Sequence, residues 1–391
     1  GSEMCIRDRF SSVLPAYPGD VNNLVHATAG NNVVVAWQSR YCSTGSPAYA
    51  LSDTSTPTQA EVATYLGIDT TTDLYLTDAF GVAGSQGSVD YAAQGYPSVG
   101  EVPFNCLWTA RGVLVAGDDP RTDGVTEANH MVWFKPERLT SGRRDVNRVE
   151  IAMVAGAGAA ITWQEDPEGL LPGSGEGPGE GWSGAIGSNQ TDVWYSFLPW
   201  EHFQTVDDGA GNPVDLATYW PATTTKPGHY VPFAVPMRLT NNARCNATVL
   251  GDPTTDDAYC GIDAVAFGLK NQCVDTVNIP QGQSGTGDIC VNEDGLPNVA
   301  NTAATRARLS LQPRDSDGDG ITDSAWVVVI AEESKGMGRY GFLSDGTTPC
   351  DPNVVTDGTC EVADDGKDIR YFSFDMGDPQ TSLDTSSTGL L

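Results

Sequence analysis

One pattern constrains this chain more than any other: three short strand-like strings recur along it. Asn32–Gln38 (NVVVAWQ) resembles Ala159–Gln164 (AAITWQ), and both resemble Trp326–Glu332 (WVVVIAE). Each is an apolar run that turns polar or acidic at its end, the pattern of a buried strand. A second string follows each one after a loop of variable length: Thr72–Thr77 (TDLYLT), Thr191–Ser196 (TDVWYS) and Lys367–Phe372 (KDIRYF). A third recurs as Pro136–Thr140 (PERLT), Pro236–Thr240 (PMRLT) and, in weaker form, Arg306–Ser310 (RARLS).

Repeated units of this size cannot bury their apolar faces alone and stack on their neighbours. Strand pairs recurring with insertions between them are what propeller blades produce. The predicted fold is therefore all-β, an incomplete β-propeller with long loop insertions. Blade-like units are expected near residues 30–120, 130–240 and 300–380 of a region spanning 10–391, with a cysteine-containing insertion at 241–300. Three units do not close a ring. Helical periodicity is almost absent. The one predicted helix starts at a Thr56 cap with Pro57 at its first position and a capping box closed by Gln59, and Gly67 ends it. The Gly/Pro/Glu-rich stretch 166–187 is too long for a plain hairpin and reads as a loop insertion.

The ends carry their own expectations. Gly1–Arg9 (GSEMCIRDR) resembles the translation of a transposon end used in sequencing libraries, an adapter-derived scar set aside from fold reasoning. Natural sequence is expected from about Phe10, and Ser382–Leu391 reads as a second cut.

Charge removes whole classes of function. With 51 Asp plus Glu against 21 Lys plus Arg, the formal net charge is -30. Such a field repels nucleic acid and anionic lipid and attracts cations. No apolar run reaches the length of a membrane-spanning helix, so no transmembrane segment is expected. The four histidines (His26, His130, His202 and His229) are isolated, with no HExxH. No GxSxG or phosphate-cradling glycine loop occurs either, which argues against nucleotide enzymes and common nucleophile designs.

Outside the scar, the cysteines are Cys42, Cys106, Cys245, Cys260, Cys273, Cys290, Cys350 and Cys360, none in a CxxC or zinc-type spacing. An even set scattered through Gly/Asp-rich loops predicts disulfides and an oxidising compartment. Proximity favours Cys245–Cys260, Cys273–Cys290 and Cys350–Cys360, leaving Cys42–Cys106 as the remaining pair.

The sharpest motif is Asp315–Asp323 (DSDGDGITD). Carboxylates at positions 1, 3, 5 and 9 around a glycine at position 6 fit a loop that wraps a hard cation, Ca2+, in oxygens. Asp315, Asp317, Asp319 and Asp323 are the side-chain ligands expected, with the carbonyl of Ile321 at position 7. An EF-hand would need Glu at position 12, where Trp326 stands instead. The segment resembles the calcium loops of thrombospondin type-3 repeats.

A second constellation is acidic and aromatic: Trp163, Gln164, Glu165, Asp166 and Glu168, with Trp182, Trp194 and Tyr195. Paired carboxylates beside aromatics suit a glycosidase, one acting as acid and one as base or nucleophile. They suit a sugar-binding face equally, and Trp163, Trp182 and Tyr195 are the ligand-binding candidates. Glu165, Asp166 and Glu332 are the catalytic candidates. Glu332 and Glu333 occupy the matching place in the third unit, and that repetition favours architecture over a unique active site. Arg138, Arg143, Arg144 and Arg238 invite comparison with the arginine cluster of sialidases. The Phe-Arg-Ile-Pro segment and full aspartate box of those enzymes are missing, and Ser344–Thr347 (SDGT) is a remnant at best.

Together with the aspartate loop, the strings Glu137–Asp145 (ERLTSGRRD), Trp163–Gly169 (WQEDPEG) and Gly175–Gly184 (GEGPGEGWSG) resemble one family. It comprises exported bacterial surface proteins with a sialidase-like propeller region and interchangeable C-terminal anchors, the choice-of-anchor type. The resemblance spans roughly residues 30–380. It implies a secreted, cell-surface or periplasmic location and no particular reaction. Two functions follow as expectations: a non-catalytic binding protein for a glycan, extracellular polymer or surface protein, or a glycan-acting hydrolase.

Overall fold

The computed structural model describes residues 21–42, 86–93, 100–122, 124, 126–166, 169, 191–234, 236–240, 275–278, 288–291, 302–335, 341–343, 349–350, 359–362 and 368–379. The molecule is all-β, built of several sheets, and among the described residues none closes on itself. The predicted helix at 56–67, the strand at Thr72–Thr77, the 170–187 insertion and both chain ends lie outside the described residues.

Three larger sheets carry the repeat. The first contains β1 (Asn22–Ala29), β2 (Asn32–Ser39), β5 (Cys106–Ala116), β6 (Asn129–Trp133) and β7 (Glu137–Arg138). A small hairpin, β3 (Ser88–Asp90) with β4 (Glu101–Pro103), lies between β2 and β5 in sequence. The second contains β8 (Asp145–Val154), β9 (Gly158–Asp166), β10 (Asp192–Pro199) and β14 (Met237–Arg238). The connection from β10 to β14 holds a three-stranded sheet of β11 (Thr205–Asp207), β12 (Pro213–Asp215) and β13 (Gly228–His229). That connection also holds one helical turn, α1 (Leu216–Tyr219), capped by the Asp215 carboxylate. β15 (Asp275–Asn278) pairs with β16 (Asp288–Val291). The third large sheet contains β17 (Thr302–Arg314), β18 (Ser324–Lys335) and β22 (Asp368–Asp375), with β19 (Gly341–Leu343), β20 (Pro349–Cys350) and β21 (Cys360–Val362) forming a small sheet between β18 and β22.

The three repeated strings are β2, β9 and β18, and each is the middle strand of an antiparallel meander: β1-β2-β5, β8-β9-β10 and β17-β18-β22. Register matches residue by residue. Trp37 faces Trp108, Trp163 faces Trp194, and Ala331 faces Arg370. The third strand of the first unit is therefore β5, with Leu107-Trp108 at the places of Val193-Trp194 and Ile369-Arg370. This corrects the expectation that Thr72–Thr77 fills that role.

The PxRLT strings behave alike in the first two units. Arg138 pairs with Trp108 and Arg238 with Trp194. The Thr140 hydroxyl accepts the Leu107 N–H, and the Thr240 hydroxyl accepts the Val193 N–H, each at 2.9 Å. Arg306–Ser310 does not join them. It lies within β17, the first strand of its unit, where Arg306 is the left-handed residue of a bulge.

That bulge is common to all three units. The register of the first strand against the middle one slips between Asn22 and Val25, between Asn147 and Glu150, and between Thr305 and Arg308. An extra residue sits there each time, and Asn23, Arg148 and Arg306 adopt left-handed backbone at φ 54, 50 and 54. A bulge sharpens strand twist and bends the strand. In the second and third units the bulged strand lies over the face of the unit before it: β8 packs on β1, β2 and β5, and β17 on β8, β9 and β10.

Stacking follows from strand alternation. Val34 and Ala36 of β2 share one core with Ala159, Ile161, Trp163 and Trp194 of the second unit. The opposite face of the second unit, Ala160, Val193 and Tyr195, shares another core with Val327, Val329, Phe372 and Phe374. β9 is buried along its whole length, as a strand covered on both faces must be.

Candidate functional site

The aspartate loop is the tip of the β17–β18 hairpin. In the other two units the corresponding connections are the short turns at Gly30-Asn31 and at 155–157. The loop is thus an insertion at one hairpin tip of the repeat. It rests on the second unit at Gly156, a position with φ +88 where a Cβ would run into the carbonyl oxygen of Thr322.

Asp315 organises the loop. Its carboxylate accepts the backbone N–H groups of Gly318 (2.6 Å), Asp319 (3.1 Å) and Gly320 (2.7 Å). These bonds, the one from Gly320 foremost, hold its carboxyl below the usual range. Asp317 accepts the Asp319 N–H at 3.1 Å, and Asp319 accepts the Ile321 N–H at 2.7 Å. Asp315, Asp317 and Asp319 each offer a carboxylate oxygen, all within 4.8 Å of one another and exposed. Among the described residues this is the one such group of three potential metal ligands.

Asp323 stands outside that group. Its carboxylate accepts the Ser316 N–H at 2.9 Å and the Ser316 hydroxyl at 2.5 Å, which lowers its pKa. It pins the loop's two ends together, while its own N–H donates to the Arg314 carbonyl at 3.1 Å. The Ile321 side chain points to solvent.

The acidic and aromatic constellation is placed differently. Trp163, Glu165 and Asp166 are all buried in β9. Both Glu165 oxygens are engaged: Trp163 Nε1–H donates to one at 2.9 Å and Arg144 Nε–H to the other at 2.7 Å. The Arg144 guanidinium lies 4.5 Å from the Trp194 ring centroid. Burial nevertheless raises the Glu165 pKa, outweighing the Arg144 charge, and nearby Asp192 pushes the same way.

The neighbouring acids are tied into the sheet as well. Asp145 accepts the backbone N–H and side-chain amide of Asn105 at 2.8 and 2.9 Å. Asp192 accepts the Thr240 hydroxyl at 2.7 Å. The phenol of buried Tyr91 is driven well above its ordinary pKa by burial first, then by Asp145 and Asp166.

The remaining candidates scatter. Tyr195 is buried between the second and third units, its hydroxyl donating to the Met376 carbonyl at 3.1 Å and its ring edge-on to Phe374. Glu332 pairs with Arg306 at 2.9 Å. Arg143 is exposed, whereas Arg138 and Arg238 occupy equivalent backbone places in β7 and β14. Trp182 lies outside the described residues.

Of the cysteine pairs, Cys42–Cys106 is formed, with Cα atoms 6.0 Å apart, beside the stacked rings of Trp37 and Trp108. Cys245, Cys260 and Cys273 lie outside the described residues, and Cys290 is on β16. Cys350 and Cys360 are on β20 and β21, which flank β19 from opposite edges. Two strand spacings, about 9.5 Å, separate those edges.

Sequence reasoning missed one buried ionic group. Arg111 on β5 donates to Glu137 of β7 at 2.8 Å and to the Val231 carbonyl at 2.6 Å. Glu137 also faces His229 at 3.4 Å and accepts the Phe233 N–H at 3.3 Å. Burial opposes ionisation of Glu137, yet the Arg111 and His229 charges prevail and its pKa is lowered. The available signal was the charged Glu137 at the place where the second unit's repeat has Met237.

No membrane-crossing helix is present among the described residues. No family model, curated protein or solved structure matches this chain.

Proposed function

We propose that this chain is an exported, non-catalytic binding protein: a calcium-stabilised stack of propeller-type blades that presents loops to a glycan, extracellular polymer or protein partner. The observation carrying this reading is the division of its carboxylates into two kinds. Glu165 and Asp166, two of the three catalytic candidates of the sequence, are buried, and both oxygens of Glu165 are held by Trp163 and Arg144. A glycosidase needs its carboxyls open to the sugar, one to protonate the leaving group and one to attack or activate water. Asp315, Asp317 and Asp319 are instead exposed and convergent. Such a set of hard oxygen donors suits Ca2+, with Gly320 at φ +87 turning the chain inside the loop.

Two further observations support the reading. Face-to-face packing of equivalent sheets in chain order suits blades of a propeller-type ring. The Cys42–Cys106 disulfide suits an oxidising compartment.

The test is a pair of assays on one preparation. Binding to an array of glycans and extracellular polysaccharides is measured alongside hydrolysis of fluorogenic glycosides. The reading expects retention of ligand without turnover, and no change in either assay for Glu165→Gln beyond its effect on folding. Turnover that disappears in a folded Glu165→Gln or Asp166→Asn variant overturns it in favour of the hydrolase.

A further inference from the structure

Among the described residues the stack has two uncovered ends, and they match. In the first unit, Ala36 and Leu107 lie on the face turned toward the second unit, and both are fully buried. Their register equivalents in the second unit, Thr162 and Val193, are fully buried on the side of the third unit. In the third unit the same two positions are Ile330 and Ile369, exposed by 37 % and 48 %. Val328 and Tyr371 share that face and are also partly exposed. The apolar character that the first two units bury under a following unit is kept here, with no following unit among the described residues.

The other end shows the reverse. Ala159 and Ile161 of β9, and Val327 and Val329 of β18, face backward and are fully buried against the preceding unit. Their equivalents in β2, Val33 and Val35, are partly exposed beside the partly exposed Trp133.

The bulge repeats this asymmetry. Arg306 donates its bulge N–H to the side-chain oxygen of Gln164 on the preceding unit, at 2.6 Å. Asn23, the same residue of the first unit, donates its N–H to the adjacent Asn22 side chain instead, at 2.9 Å. Glu332 holds the position of Gln164 on the third unit's open face.

We infer that a second copy of this chain docks head to tail, its first unit packing on the open face of the third unit as β17 packs on the second. The occupant is indicated by continuity with the two unit–unit interfaces inside the chain, which set the apolar positions, while the second of them also sets the place of the incoming N–H. The contact is heterologous, so it closes a ring or extends a chain of copies. It uses the observed stacking and does not depend on the ligand or calcium of the function proposed above.

The test is sedimentation velocity on the whole chain over about a hundredfold range of concentration, with far-ultraviolet circular dichroism as a folding check. The wild type is expected to grow with concentration. Ile330→Glu, which charges one end, and Val35→Glu, which charges the other, should each stay monomeric. Mixed together they should form a one-to-one dimer and nothing larger, because each keeps one intact end. Ile369→Glu and Val33→Glu form a second pair should either of the first variants fail to fold. A wild type that is monomeric throughout, a folded end variant that still associates alone, or a mixture that never dimerises overturns the inference.

Discussion

Arg306 donates its backbone N–H to the side-chain oxygen of Gln164 across the boundary between the second and third units, at 2.6 Å. A bulge frees one N–H from the ladder, and leaving it without an acceptor in this part-buried place costs about 1 kcal/mol. Gln164, which ends the repeated strand of the second unit, thus has a physical role: it receives the third unit's bulge. Gln164→Leu is expected to destabilise the chain by that amount in urea denaturation. An unchanged midpoint and slope would mean that the bond contributes nothing to holding the units together.

The left-handed bulge residue is a second point of leverage. Arg148 is exposed and holds φ 50, a conformation that costs a side chain about 1 kcal/mol and glycine almost nothing. Arg148→Gly should leave stability unchanged or raise it by up to about 1 kcal/mol, whereas Arg148→Val should lower it by more than that. Thermal unfolding of the two variants side by side reads the difference. Equal effects would argue against the bulge at this position.

Two buried glutamates should respond to pH in opposite senses. Glu165 has a raised pKa, burial outweighing Arg144. Below the ordinary glutamate pKa of about 4.3 it is protonated in folded and unfolded chains alike. As pH rises, the unfolded chain ionises first, so the wild type loses stability relative to Glu165→Gln until pH passes the folded pKa. Glu137 has a lowered pKa, Arg111 and His229 overcoming burial. Its contribution is present above about pH 4.3 and is lost as pH falls through the folded value. Denaturation of the wild type, Glu165→Gln and Glu137→Gln between acid and neutral pH checks both signs.

Cys42 and Cys106 are 64 residues apart in sequence. Closing a loop of that length stabilises by about 4 kcal/mol on the chain-entropy account. The double variant Cys42→Ser with Cys106→Ser should lose stability on that scale. The loss should be seen in the oxidised protein and should vanish when the wild type is compared under reducing conditions.

Much of the architecture was legible in sequence because β2, β9 and β18 are buried on one or both faces. Burial of that kind writes a continuous apolar run that survives divergence between units. The third strand of the first unit was misplaced to Thr72–Thr77 because string similarity ignores register. The pairing of Trp37 with Trp108 is a property of the fold that no window on the sequence contains. The bulge was hidden for a related reason: it is specified by backbone conformation at Asn23, Arg148 and Arg306, and neither asparagine nor arginine is a residue type that marks a left-handed position on its own in a sequence.

The sites divide along the same line. Spacing in DSDGDGITD placed Asp315, Asp317 and Asp319 together, since a short loop leaves few other arrangements. The position of Asp323 escaped the motif because Ser316, two residues into the loop, competes for its carboxylate. Glu165 and Asp166 looked catalytic because a carboxylate beside a tryptophan reads the same whether it faces a sugar or a core. Their surroundings are what the sequence does not carry: both are buried, and Arg144, brought in from the approach to β8, pairs with Glu165.

The most direct measurement on the proposed function is thermal unfolding of the whole chain across a calcium titration, with a chelator as the zero point. Three exposed carboxylates within 4.8 Å repel one another unless a cation lies among them. The account predicts that stability rises with free calcium, by about 2.7 kcal/mol at a hundredfold excess over the dissociation constant. It also predicts that Asp317→Ala combined with Asp319→Ala removes the response. A melting temperature indifferent to calcium and chelator, or a calcium response that survives in the double variant, would contradict it.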